Sequence, residues 1–151
     1  MGWRETDRIS IIAHRGSSGS APENTLAAFR KALDDGADGI ELDVRMSKDG
    51  ELVVLHDRTV NRTTNGRGKI WNLTLAEAQG FDAGSWFGKK FSHERIPALG
   101  EVIDLLPRRL LLNVEVKTDG QQRSRTRLAA KLARLLVEKE CTAAMIVSSF
   151  D

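Results

Sequence analysis

The sequence has few of the residues that mark secreted, membrane-spanning or nucleic-acid-binding proteins. It contains one cysteine, Cys141, no tyrosine and 5% aromatic residues. A single cysteine cannot form an internal disulfide, which favours a reducing compartment. No apolar run approaches the roughly 20 residues of a spanning helix, and the polar start MGWRETDR does not resemble a secretory signal. We therefore expect a cytoplasmic protein without a stable membrane anchor.

Neither sign of charge is in large excess. The net charge is +2 and the pI about 8.9, and nucleic-acid binding would require clustered Lys and Arg with stacking aromatics. We therefore expect no nucleic-acid partner. The hydrophobic content of 40% and charged content of 29% are typical of a globular protein. A chain of 151 residues is long enough for one domain, which we take as residues 1–151.

Strand-like and helix-like segments alternate along the chain. Apolar, β-branched runs predict strands over 8–16, 38–46, 51–57, 109–117 and 143–151. Helical spacing and capping signals predict helices over 24–37, 74–79, 97–107 and 125–140. An irregular excursion fills 58–95. Apart from the returning hairpin strand, this order predicts an α/β fold with a parallel sheet of four strands, half the number in a (β/α)8 barrel.

Charged side chains recur at alternate positions on two of these strands. Glu41 and Asp43 share one face of their strand, and Glu115 and Lys117 share one face of another. Burying acids on a strand costs free energy unless they are paired. A surface-facing edge strand would explain one such pair, but two pairs on strands with apolar opposite faces favour a functional site.

A hairpin turn at Asp49-Gly50 suggests a partner for one of these acids. With a two-residue loop, residues whose numbers sum to 99 lie opposite each other, which places His56 across from Asp43. A lone histidine is more often structural than catalytic. Here we expect it to lie beside a carboxylate already singled out.

The residue types together suit a phosphodiester. Carboxylates such as Glu41, Asp43 and Glu115 are hard oxygen donors suited to Mg²⁺ or Ca²⁺. Arg15 and Lys117 would bind phosphate, although a surface ion pair and a strand-end lysine are the simpler interpretations. His14 and His56 could then transfer protons to and from the reacting oxygens.

Two local questions remain open at this level. Adjacent strand residues face opposite sides, so His14 and Arg15 can both reach one site only if regular strand geometry ends there, which Gly16 would allow. Asn24 in PENT is interpreted first as a helix N-cap and only second as a functional residue.

The chain resembles the glycerophosphodiester phosphodiesterase family. The resemblance rests on motifs found in the family's order: IIAHRG, PENT, GADGIELDVRMSKDGELVVLHD, NRTTNG, RIPALGEVIDLLP, LNVEVK and IVSSFD. It implies a phospholipase-C-like TIM barrel that hydrolyses glycerophosphodiesters, small molecules such as deacylated phospholipids, to glycerol 3-phosphate and an alcohol. It implies that 58–95 is the family's small insertion near the mouth of the active site.

The resemblance also implies roles for seven residues. These are His14 and His56 as the acid/base pair, Glu41, Asp43 and Glu115 as ligands of a divalent cation, and Arg15 and Lys117 as phosphate contacts.

The sequence departs from the family pattern in two ways. Ala98 and Gly100 stand where the family usually carries Thr and Glu, and the chain stops where family members continue into the remaining half of the barrel. We therefore expect an N-terminal half barrel whose unpaired strand edges could support self-association. The alternatives are a related lysophospholipase D or phosphoinositide-type phosphodiesterase, or a catalytically silent half barrel that binds ligand or dimerises.

Overall fold

The fold is an α/β sheet with helices on one face. The computed structural model describes residues 9–118, 122–140 and 145–150. Its strands are β1 (Ile12–His14), β2 (Gly39–Met46), β3 (Leu52–Val54), β4 (Leu111–Val116) and β5 (Met145–Ser148). Its α-helices are α1 (Leu26–Asp34), α2 (Leu75–Gln79), α3 (Leu99–Leu105) and α4 (Gln122–Glu138), with short 3₁₀ turns at Ile70–Asn72 and Lys89–Phe91.

Four of the strands form a parallel sheet in the order β1-β2-β4-β5. The intervening helices make each connection a βαβ crossover, as the sequence predicts. The fifth strand, β3, returns antiparallel on β2, beyond the end of the β1–β2 pairing. Parallel strands bring their carboxyl ends to one edge of the sheet, so the residues that end β1, β2 and β4 meet there.

The two faces of the sheet differ in polarity. Alternate residues of β2 and β4 pack against the helices in one apolar cluster, whose buried members include Ile40, Leu42, Val44, Leu112 and Val114. The residues between them, Glu41, Asp43 and Glu115, are acidic and lie on the opposite face. Helices therefore cover one face, and the other face carries the polar groups.

A second, smaller core lies under the segment 58–95. Val53 and Leu55 at β3 pack there against residues of that segment, which are Val60, Ile70, Ala78 and Ala83, together with Ile96. The excursion is thus anchored on the hairpin.

Most strand predictions are correct in position but too long. The strand expected over 8–16 is Ile12–His14, and the one expected over 109–117 is Leu111–Val116. The last strand, expected over 143–151, covers Met145–Ser148. Residues 8, 143, 144 and 151 lie outside the described residues, as does Cys141.

The helix predictions are confirmed to within a few residues. The helix expected over 74–79 is Leu75–Gln79, and the one expected over 125–140 is Gln122–Glu138, which is the longest described helix at 17 residues. Among the residues described, no helix is both long and apolar enough to cross a membrane.

The hairpin register differs from the prediction by one residue. Val44 pairs with Val54 and Met46 with Leu52, so paired numbers sum to 98. The turn contains three residues rather than two, because Gly50 takes a left-handed conformation at φ 84° and adds a bulge. Asp43 consequently lies opposite Leu55, whose N–H donates to the Asp43 carbonyl oxygen at 3.0 Å. The prediction that Asp43 faces His56 is therefore wrong.

Helix α3 begins with an incomplete cap. The Ala98 N–H donates to the Glu101 carboxylate at 2.7 Å, which is one half of a capping box. The Ala98 side chain at the N-cap position makes no hydrogen bond. The backbone N–H groups of the first turn therefore lack the side-chain acceptor that Thr or Ser would supply.

We expect Ala98→Thr to raise the free energy of unfolding by about 1 kcal/mol, since the new hydroxyl would accept a hydrogen bond from that first turn. Chemical denaturation checks this. Ala98→Val is the matched control, because valine has the shape of threonine without the hydroxyl. Equal stability of the Thr and Val variants would contradict the capping explanation.

Candidate functional site

Three carboxylates meet at the carboxyl edge of the sheet. Glu41 and Asp43 alternate along β2, and Asp43 pairs in register with Glu115 of β4. One oxygen from each carboxylate lies within 4.8 Å of the others. All three residues are buried, Asp43 completely. The sequence prediction that these acids share one site is consistent with this geometry.

Two cationic side chains face the central carboxylate from opposite sides. Arg15 Nε lies 3.3 Å from Asp43 Oδ2, and Lys117 Nζ lies 3.4 Å from Asp43 Oδ1. Lys117 also forms a close ion pair with Glu115. The positive charges offset the repulsion among the carboxylates, which would otherwise make their burial costly.

The backbone after β1 turns so that His14 and Arg15 reach the same region. Regular strand geometry ends at His14, and Arg15 and Gly16 are both left-handed, at φ 58° and 76°. The Arg15 N–H donates to the Glu41 carboxylate at 3.0 Å. A Cβ on Gly16 would approach the backbone of Ala28 to 2.7 Å, so glycine is required there for space as well as for conformation. The expected break in the strand is thus observed.

Asn24 belongs to the site, contrary to its first interpretation as a helix cap. The side chain that caps α1 is Thr25, whose hydroxyl accepts from the Ala28 N–H at 3.3 Å. Asn24 itself is left-handed at φ 58°, and its Nδ2 donates to Asp43 Oδ2 at 2.9 Å. Asparagine tolerates this conformation better than most residues, but no spacing pattern in the sequence marks it.

The two histidines differ in their surroundings. His14 Nε2 lies 3.8 Å from Glu41 Oε2, and its side chain is 67% exposed. His56 follows Leu55, whose backbone N–H donates a hydrogen bond to the Asp43 carbonyl oxygen. The Nδ1 atom of His56 lies 2.8 Å from Asp57 Oδ1. Both rings therefore lie at the carboxyl edge of the sheet, His14 beside a carboxylate of the cluster and His56 beside a separate one.

Sequence reasoning missed the residues that support His56. Arg45, on the polar face of β2, donates from Nε and Nη2 to the His56 carbonyl oxygen at 2.9 and 2.6 Å. Asp57 contacts the ring. The spacing of two residues between Asp43 and Arg45 could have predicted that Arg45 lies on the same face of β2. Asp57 lies in a loop, where no such periodicity exists.

Burial raises the pKa of the Glu41 carboxyl to about 7, and the neighbouring negative charges of Asp43 and Glu115 add to this effect. The hydrogen bond from the Arg15 backbone acts in the opposite direction but is outweighed. In the absence of a cation, the ionised form of Glu41 is therefore disfavoured in the cluster.

The cluster fits a divalent cation. Glu41 Oε1 and Asp43 Oδ1 are buried oxygens that accept no hydrogen bond, although buried carboxylate oxygens are normally satisfied. The donor set contains only carboxylate oxygens, which suit Mg²⁺ or Ca²⁺ rather than softer metals. Glu41, Asp43 and Glu115 are thus the residues able to hold such an ion.

Comparisons with known proteins point to one family. The model of the glycerophosphoryl diester phosphodiesterase family matches residues 14–151. A glycerophosphodiester phosphodiesterase from Caldanaerobacter subterraneus is 48% identical over 142 residues, which cover 93% of this chain and 58% of the relative.

Solved structures give the same family and the barrel fold. A phosphodiesterase from Oleispira antarctica, in complex with the product sn-glycerol-3-phosphate, matches with TM-score 0.88 and 39% identity over 95% of this chain and 58% of its own. A glycerophosphodiester phosphodiesterase from Agrobacterium tumefaciens matches with TM-score 0.86 and 38% identity, covering 95% and 59%. The chain therefore spans little more than half the length of these relatives, and its fold is the corresponding half of a TIM barrel.

We expect Glu41→Gln to stabilise the cation-free protein at alkaline pH. The folded-state pKa of about 7 exceeds the ordinary 4.5, so the wild type loses stability as pH rises from about 4.5 through 7 and stays penalised above it. The variant lacks that penalty, which is on the order of 2 kcal/mol after a discount for solvent screening of the carboxyl. Thermal unfolding in EDTA at pH 5 and pH 8 measures it. A stability difference between the variant and the wild type that is equal at both pH values would contradict the raised pKa of Glu41.

Proposed function

The chain belongs to the glycerophosphoryl diester phosphodiesterase family, and on that premise we propose that its site hydrolyses glycerophosphodiesters to glycerol 3-phosphate and an alcohol, with a divalent cation. The observation that carries the proposal is the buried cluster of Glu41, Asp43 and Glu115 with two carboxylate oxygens that accept no hydrogen bond, flanked by Arg15 and Lys117. Such a site combines a place for a cation with two fixed positive charges.

The substrate class is supported by the chemistry of the relatives. The Oleispira antarctica phosphodiesterase holds sn-glycerol-3-phosphate as its product. A phosphate monoester of this kind requires cationic groups around its oxygens. We propose Arg15 and Lys117 for this role, since each already lies within 3.4 Å of Asp43 and is half-buried rather than free in solvent.

Glu41, Asp43 and Glu115 would hold the cation through their carboxylate oxygens. When bound, Mg²⁺ or Ca²⁺ offsets negative charge that develops on phosphate oxygens. A bound cation would also change the surroundings of Lys117, because Glu115 and Asp43 would each gain a further positive partner. The lysine would then be available to contact the substrate.

His14 and His56 are proposed as the acid and base. One removes a proton from the nucleophile, and the other donates a proton to the departing alcohol oxygen. His56 Nδ1 faces Asp57, so its Nε2 is the nitrogen left to exchange a proton. The exposed ring of His14 is accessible to a substrate that approaches the cluster from solvent.

The segment 58–95 is proposed as the family insertion within a single domain. Its own small core, which includes Val60 and Ile70, packs on the β3 hairpin, and the hairpin leads directly into His56. The segment can therefore shape the substrate pocket from the side on which His56 lies.

We expect the chain to release glycerol 3-phosphate from glycerophosphocholine in Mg²⁺ or Ca²⁺, and EDTA to abolish this activity. His56→Ala should lower kcat by roughly 100-fold or more, because one proton transfer loses its catalyst. An enzyme-coupled assay for glycerol 3-phosphate measures both effects.

His93→Ala is the matched control. His93 is the third histidine of the sequence, is exposed and contacts Glu94 rather than the carboxylate cluster. Its replacement should leave the rate unchanged. Activity that withstands both EDTA and His56→Ala would refute the proposed mechanism.

Asn24→Gly should weaken divalent-cation binding by roughly 10- to 100-fold, as expected when the support of a ligand is lost. The substitution keeps the left-handed backbone, adds no charge and removes the amide that donates a hydrogen bond to Asp43. Titration calorimetry with Ca²⁺ checks this. Unchanged affinity in this variant would remove Asn24 from the site.

A further inference from the structure

A network of ion pairs connects the two sides of the site through one arginine that lies outside the carboxylate cluster. We propose that Arg62 is a positioning residue that holds the His56 ring and the Arg15 guanidinium in their working orientations, through Asp57 and Glu23 respectively. This inference rests on the proposed function, because it assigns Arg62 a role in the same reaction. Arg62 comes from the segment 58–95 and contacts none of the three cluster carboxylates within the described part of the chain.

The first arm of this network of ion pairs orients the His56 ring. Arg62 Nε lies 2.8 Å from Asp57 Oδ2, and Arg62 Nη2 lies 3.1 Å from Asp57 Oδ1. The same Asp57 Oδ1 lies 2.8 Å from His56 Nδ1. A carboxylate fixed in this way keeps the proton on Nδ1 and leaves Nε2 as the nitrogen that faces the substrate.

The arginine also keeps Asp57 ionised. Its hydrogen bonds lower the pKa of the Asp57 carboxyl to about 2, and the His56 contact adds to this. Asp57 is therefore an acceptor at neutral pH, so the orientation of the imidazole there does not depend on a protonation change at Asp57.

The second arm orients Arg15. Arg62 Nη1 and Nη2 lie 2.8 and 2.7 Å from the two Glu23 oxygens. Glu23 Oε1 also accepts from Arg15 Nη1 at 3.0 Å. Arg15 is thereby held between Glu23 and Asp43, which aims its guanidinium at the cluster. A half-buried guanidinium with two fixed partners loses less side-chain freedom when it binds phosphate.

Only an arginine can make both contacts. Arg62 uses all three guanidinium nitrogens on two carboxylates that are 34 residues apart in the sequence, Glu23 and Asp57. A lysine offers one charged nitrogen and cannot hold both carboxylates in a planar arrangement. Arg62→Lys therefore separates the effect of positive charge from that of positioning.

The backbone near His56 has its own anchor. Arg45 binds the His56 carbonyl oxygen, so loss of Arg62 should release the ring and the Asp57 carboxylate without unfolding the loop. We therefore expect a change in catalysis with little change in melting temperature.

The test compares Arg62→Gln and Arg62→Lys with Arg95→Gln. Arg95 lies in the same segment, is exposed, and donates to backbone carbonyl oxygens rather than to Glu23 or Asp57, so it is a matched control. We expect both Arg62 variants to lower kcat by roughly 10- to 100-fold, and Arg95→Gln to have no effect. Combined with His56→Ala, Arg62→Gln should lower kcat less than twofold further, because the effect of Arg62 on kcat acts through the His56 ring, whereas its effect through Glu23 and Arg15 falls on KM.

Glu23→Gln separates the two arms. It weakens the hold on Arg15 while leaving Asp57 in place, so we expect a raised KM with a smaller change in kcat. Equal loss of kcat from Arg62→Gln with and without His56 would overturn the proposal, as would an unchanged kcat in both Arg62 variants.

A spectroscopic measurement keeps the proposal independent of activity. The ¹⁵N resonances of the His56 ring should show the Nδ1-protonated tautomer in the wild type and a shift towards the other tautomer in Arg62→Gln and Arg62→Lys. If the wild type released no glycerol 3-phosphate, the proposed function would fail while this measurement still tested the positioning. An identical ring spectrum in the wild type and both variants would overturn it.

Discussion

The rest of the site depends on the contacts of one buried carboxylate, that of Asp43. It is fully buried, and Arg15, Lys117 and Asn24 all direct nitrogen atoms at it. A charge in that position is tolerated only with such compensation. The ends of β2 and β4 and the loop after β1 are therefore tied together by one charge.

The same constraint accounts for the unusual backbone near the site. Arg15 and Asn24 are two of the three described residues other than glycine with positive φ. Such conformations cost free energy and persist when surrounding contacts fix them. Here both residues contact Asp43, and the Arg15 N–H also donates to Glu41. The strain lies where the proposed chemistry takes place.

Side-chain alternation on strands made the centre of the site predictable. The spacing of Glu41 with Asp43, and of Glu115 with Lys117, places each pair on one face, and parallel pairing brings the two strands into register. Features that depend on a turn or on loop geometry were not predictable in this way. The bulge at Gly50 shifts the pairing register of the hairpin by one residue, so that Leu55 rather than His56 lies opposite Asp43. Asn24 and Arg62 act from loops, and no periodicity relates them to their partners.

The proposed chemistry depends on a divalent cation held by Glu41, Asp43 and Glu115. Crystals grown in Mn²⁺ would test this directly, because manganese gives an anomalous signal that locates it without assumptions about activity. We expect one strong peak in contact with all three carboxylates, with the side chain of Lys117 turned away from Glu115. A structure with no peak at this cluster, or with manganese bound only elsewhere, would contradict it.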